Sequence, residues 1–100
     1  MTERDASKEL RRRAMEIDPT VRIGKDGLGE NLYEEVKNQL KNRRLIKIKV
    51  LRNADSETDE VAAKIAEATD SVVVDVRGGV IILTDKRTWT SLCQKKFDKA

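Results

Sequence analysis

The apolar residues of this chain change their period twice, first at Gly24 and again at Leu45, and this constrains the fold more than any other feature. Val21 and Ile23 alternate as one face of a strand does, then Leu28, Leu32, Val36 and Leu40 step by four along a helix face. Ile46, Ile48 and Val50 alternate again, with Lys47 and Lys49 on the opposite face, which reads as a strand with one buried and one basic side. Strand, helix and strand in that order form a β-α-β unit whose two strands lie parallel through a right-handed crossover. The switch is made by Ile23-Gly24-Lys25-Asp26-Gly27-Leu28. Glycine has no Cβ to hold a ligand away, and a helix that opens after such a turn offers unpaired N–H groups and a positive dipole end. KH domains clamp a nucleic-acid backbone with a G-x-x-G loop of this kind. The plainer reading of Gly24 and Gly27 is a turn and nothing more.

The remaining segments extend the pattern. Ala6, Leu10, Ala14 and Ile17 recur at helical spacing over residues 2–16, and Asp18-Pro19 stops that helix because a residue before proline leaves the α region. Thr20–Ile23 reads as a short strand and Leu45–Leu51 as the second. Ser56 and Asp59 have the spacing of a capping box for a helix that buries Val61, Ala62, Ile65, Ala66 and Ala68. Ser71–Arg77 and Val80–Thr84 are strands joined by the hairpin glycines Gly78 and Gly79, which places Val80 and Ile82 on a face with Asp75 and Arg77. Residues 85–100 lack a clear period and read as a weakly ordered basic tail after a single domain at 1–84. The expected order is α-β-α-β-α-β-β. Both crossovers should give parallel neighbours, forming an α/β two-layer (α+β) fold with a mixed four-stranded sheet and helices packed on one face.

Composition restricts the chemistry. Histidine is absent and Cys93 is the lone cysteine, which removes the commonest general base, zinc thiolate clusters and an internal disulfide. No nucleophile–base pair or paired acids stand out, so neither an enzyme nor a cofactor or metal is expected. No apolar run reaches the ~20 residues of a membrane span, and a cytoplasmic setting is expected. The net charge of +3 conceals a partition. Residues 1–54 carry 14 Lys/Arg against 9 Asp/Glu, residues 55–85 carry 2 against 8, and residues 86–100 carry 5 against 1. Basic segments attract polyanions through counterion release, although most charge runs are simply solvated.

Three stretches in the right order resemble the CRM domain, the CRS1–YhbY family. They are Ile23-Gly24-Lys25-Asp26-Gly27-Leu28, Leu45-Ile46-Lys47-Ile48-Lys49, and Gly78 followed by Val80-Ile81-Ile82-Leu83, with Leu10-Arg11-Arg12-Arg13-Ala14 suiting the family's basic first helix. The likeness spans residues 8–84. It departs at Gly29, where the family usually has a Thr or Ser helix cap, and at Thr84-Asp85, where an aromatic and a basic residue often stand. The resemblance implies an RNA-binding module with a fold similar to the C-terminal domain of translation initiation factor three. A stand-alone YhbY-like member implies structured RNA as partner, above all ribosomal RNA in large-subunit precursors, whereas organellar relatives serve group II intron splicing.

The candidate RNA-contacting residues are Gly24, Lys25, Asp26 and Gly27 in the loop, Arg11 and Arg12 on the first helix, and Arg22, Lys47 and Lys49 on the sheet. Lys37, Lys41 and Arg44 form a further stripe at i, i+4, i+7. Asp26 and Glu30 oppose an anion at the loop, and Glu9 or Glu16 could instead occupy the Arg11–Arg13 run. With Tyr33, Trp89 and Phe97 the only aromatics, binding should rest on backbone and shape more than on base stacking. The alternative from a different class is a protein-interaction module of a ribosome-associated or splicing complex, docking through the apolar hairpin and the tail. DNA binding is allowed on charge alone. A monomer is preferred.

Overall fold

The computed structural model describes residues 2–24, 29–51 and 57–94. Lys25, Asp26, Gly27, Leu28, Arg52, Ser56 and Phe97 therefore lie outside the described residues. The elements are α1 (Glu3–Ala14), β1 (Val21–Ile23), α2 (Glu30–Arg43), β2 (Leu45–Val50), α3 (Thr58–Thr69), β3 (Ser71–Arg77), β4 (Val80–Asp85) and α4 (Lys86–Gln94).

Each helix has a local cause. Thr2 caps α1 by accepting from the Asp5 amide, and acids in the first turn with Arg11, Arg12 and Arg13 in the last complement the dipole. Helix α2 begins at Gly29, which is extended and makes no side-chain cap bond, and it ends at Arg44 in the left-handed region. The N-cap of α3 is Glu57, without a side-chain cap bond, one residue after the Ser56 that the capping-box spacing favoured.

Strands β1 and β2 pair in parallel, as the β-α-β unit requires, and β3 and β4 form the expected antiparallel hairpin with Gly78 at φ 50° and Gly79 at φ 79°. The second crossover corrects the expectation of adjacent parallel strands. The sheet order is β1-β2-β4-β3, so β4 inserts between β2 and β3 and is antiparallel to both.

The main core lies between the sheet and α2 and α3. Val36, Ile46, Ile48, Ile65, Ile81 and Leu83 are all fully buried there. Truncating any one of these large residues to alanine costs about 2–5 kcal/mol, because lost transfer energy and the cavity add. A bulge at Val74 lets Val73 and Val76, three residues apart, both join this core.

A second, smaller cluster packs Ala6, Leu10 and Leu92 against Leu45, Val74, Trp89 and Cys93. Leu45 alternates with the core residue Ile46, so this cluster sits on the other side of the sheet. The two-layer arrangement thus holds for α2 and α3, while α1 and α4 add a partial third layer. Residues 86–94 correct the weakly ordered tail: they form a nine-residue helix whose apolar side covers α1.

Candidate functional site

Parallel pairing sends the C-terminal ends of β1 and β2 to the same end of the sheet, and this positions the glycine loop. The Leu51 amide donates to the Ile23 carbonyl at 2.8 Å, and a Cβ on Gly24 would meet Leu51 at an ordinary 3.6 Å. The hairpin turn reaches the same end, with the Val50 amide donating to the Gly79 carbonyl at 2.7 Å. A Cβ on Gly79 would stand 3.2 Å from the Val50 carbonyl oxygen, so both its φ and its surroundings favour glycine. Gly24, Leu51 and Gly79 therefore lie at one end of the sheet.

Register fixes what lies beside that end on the face away from the main core. Arg22 is opposite Lys49, Lys49 is opposite Val80, and Val80 is opposite Arg77. One row of partners thus crosses all four strands, with exposed Arg22, Lys49 and Arg77 flanking a half-buried Val80. Strands set about 4.8 Å apart put its two ends roughly 14 Å from each other. The next row pairs Lys47 with Ile82 and Ile82 with Asp75, and the carboxylate of Asp75 lies 3.2 Å from Arg77 Nε. The shared face of Val80, Ile82, Asp75 and Arg77 is as the alternation requires.

Helix α1 adds to this surface. Lys8, Arg11, Arg12 and the 80% exposed Met15 border a hollow of about 410 Å³ with Asp75 and Arg77. Arg12 is not free of partners: Glu9 accepts from its Nη2 at 2.8 Å and from Arg13 Nε at 2.9 Å. Hydrogen bonds from Arg12, then from Arg13, hold the Glu9 carboxyl below the ordinary glutamate range.

The structure brings together only part of the candidate set. Arg22, Lys47, Lys49, Arg11 and Arg12 share the open sheet face with α1, while Lys25, Asp26 and Gly27 lie outside the described residues. Lys37 and Lys41 are exposed on α2, in the helix layer across the sheet. Arg44 leaves their stripe because α2 stops at Arg43 and its own backbone turns left-handed at φ 67°. Sequence reasoning missed Lys8 and Arg77 as members of the basic surface. Arg77 needed the strand order, and Lys8 needed the placement of α1 over β3. Among the described residues no group of three or more His, Cys, Asp or Glu could hold a metal ion, and no helix is long and apolar enough to cross a membrane.

The sequence matches the CRS1 / YhbY (CRM) domain over residues 3–83, and the chain belongs to this family. A protein of Methanocaldococcus jannaschii named "probable RNA-binding protein" is 43% identical over 93 residues, covering 90% of this chain and 69% of that protein. A Bacillus subtilis protein with the same descriptive name is 31% identical over 74 residues, covering 74% of this chain and 77% of its own. The solution structure of a Staphylococcus aureus protein superposes with a TM-score of 0.72 at 37% identity, over 86% of this chain and 90% of that one.

Proposed function

We propose that this protein is a non-enzymatic RNA-binding protein for structured RNA, acting on ribosomal RNA during large-subunit assembly. Family membership and the names of the two relatives support RNA as the ligand. The observation that carries the reading is the cross-strand row of Arg22, Lys49 and Arg77, which runs beside the edge where Gly24 begins the glycine loop. Cations spaced along a sheet row meet successive phosphates, and the free N–H groups at the start of α2 offer a further anion contact. Lys25 supplies one further charge there. Lys47, Arg11 and Arg12 broaden the track, and Lys37, Lys41 and Arg44 lie on other sides of the molecule and add to its positive field. With few aromatics, the contacts are to phosphate and sugar, and the RNA is selected by shape.

Gel-shift titration of ribosomal RNA fragments over a salt series tests this. Affinity should fall steeply as salt rises, and Lys25→Ala should reduce the slope of log affinity against log salt by about 0.7–0.9. Gly27→Asp should weaken binding more than Lys25→Ala, since it places a negative charge where phosphate would sit. A flat salt dependence in the parent protein would contradict the electrostatic premise.

A further inference from the structure

The end of the molecule opposite the glycine loop carries a groove that the sheet-face reading leaves unused. It encloses about 760 Å³ between the end of α1, the end of α2, the start of β2 and α4. Its floor is apolar, made by buried Leu10 and Ile46 and half-buried Ile17 and Leu45, and exposed Arg13, Arg43 and Arg44 stand around it. A second hollow of about 510 Å³ shares Arg13, Arg44 and Thr88 with the first and adds Arg87. Asp18 lines the first hollow, and the described lining of the second holds no acid. Arg43, Arg44 and Arg87 form no ion pair among the described residues, and Arg13 uses only its Nε on Glu9.

Two features of this groove are costly to the fold. The Oγ1 of Thr88 is enclosed and has no hydrogen-bond partner among the described residues. It stands beside the Asp85 carboxylate, which accepts from the Thr88 amide at 3.2 Å and whose other oxygen is also enclosed, so the cost is local to the start of α4. Arg44 occupies φ 67°, where glycine is the favoured residue, and its carbonyl is fixed by the hydroxyl of fully buried Thr84 at 2.7 Å. An arginine held against its backbone preference at the rim of a groove marks that rim as a candidate for function.

We propose that this groove binds an unpaired nucleotide of the RNA, with the guanidinium groups of Arg13, Arg43, Arg44 and Arg87 on its phosphates and the base on the apolar floor. The inference rests on the RNA-binding reading above. The volume falls within the ~300–1,000 Å³ of pockets that enclose a small molecule, which suits a single nucleotide. Four arginines against one aspartate select a polyanion, and planar guanidinium both pairs with phosphate and stacks on a base. The family match ends at residue 83, before α4 begins, so Arg87 and Thr88 belong to a part of the chain outside it.

The test compares a blunt RNA hairpin with the same hairpin carrying a short unpaired uridine tail. The parent should prefer the tailed RNA by about tenfold. An Arg43→Glu/Arg87→Glu variant, its fold checked by circular dichroism, should bind the blunt hairpin as before and lose that preference. A 4-thiouridine in the tail should crosslink to peptides containing Arg43–Leu45 or Arg87–Thr88. Equal affinity of the parent for both RNAs, a retained preference in the double variant, or poly-glutamate competing as well as the tail overturns the nucleotide groove while leaving sheet-face binding intact. A parent that binds neither RNA overturns both readings.

Discussion

Glu9 accepts from both Arg12 and Arg13, so a single carboxylate holds two of the cations at the end of α1. The sequence left RNA contact and local pairing open for Arg11, Arg12 and Arg13, and the structure shows which of them have a local partner. Arg12 and Arg13 are paired, whereas Arg11 Nε donates to the Ser7 carbonyl. Such exposed pairs contribute little to stability, but the acid reduces the potential an RNA would feel. Glu9→Gln should therefore raise RNA affinity, by about two- to fivefold at low salt, and a filter-binding isotherm reads this directly. The sign in acid follows from the lowered carboxyl. Its stabilising contribution is present above the unfolded value and is lost as pH falls through the folded one. Glu9→Gln should thus flatten the acid limb of a stability profile slightly, by lowering stability a little in the neutral region and leaving it unchanged in strong acid. Arg44 gives the converse case. Arg44→Gly should raise stability by about 0.5–1 kcal/mol, because the left-handed position suits glycine. The same change should lower affinity for RNA, and a chemical melt beside a binding curve separates the two effects.

At the level of elements, alternation and four-residue steps were enough to place α1, β1, α2, β2, α3, β3 and β4, since each buries one face over several repeats. Helix α4 escaped because its apolar side is only Trp89, Leu92 and Cys93, one turn's worth, followed by the lysines at 95 and 96. Nothing local marks so short a stripe as buried. Its partner, the Ala6–Leu10 side of α1, lies some eighty residues earlier in the chain. The packing makes a measurable difference between a loose tail and a docked helix. Leu92 is 7% exposed, so Leu92→Ala should cost about 2–3 kcal/mol and lower the melting temperature by roughly 10 °C. A loss under about 0.5 kcal/mol would mean that the helix does not pack as described. The glycine loop stands differently again. Its flanks, Gly24 and Gly29, are placed by β1 and by the start of α2, and the roles given to Lys25, Asp26 and Gly27 remain proposals founded on the sequence.

For the whole molecule, the strand order decides which charges act together. Alternation alone puts Lys47 and Lys49 on one face of β2 and Asp75 and Arg77 on one face of β3, but leaves open which strand separates them. A physical signal existed. The stretch from Val80 to Leu83 is an unbroken apolar run suited to a central strand, and the observed bulge in β3 is typical of an edge. Placing β4 in the middle inserts Val80 between Lys49 and Arg77 and draws one basic row across the sheet beside the loop end. Lys37 and Lys41 lie in the opposite layer, so a rigid RNA helix on the sheet face does not reach them without bending around the edge. Two double reversals then separate the faces. Arg22→Glu/Lys49→Glu should weaken binding of a structured RNA by more than tenfold and lower the salt slope by at least two phosphate contacts' worth, about 1.4–1.8. Lys37→Glu/Lys41→Glu changes the net charge by the same amount. If only total charge matters, it will weaken binding equally; if the sheet row is the track, its effect will stay within about threefold. All four residues are solvent-facing or nearly so and outside the buried core, so both variants should melt within a few degrees of the parent and the affinities can be compared directly.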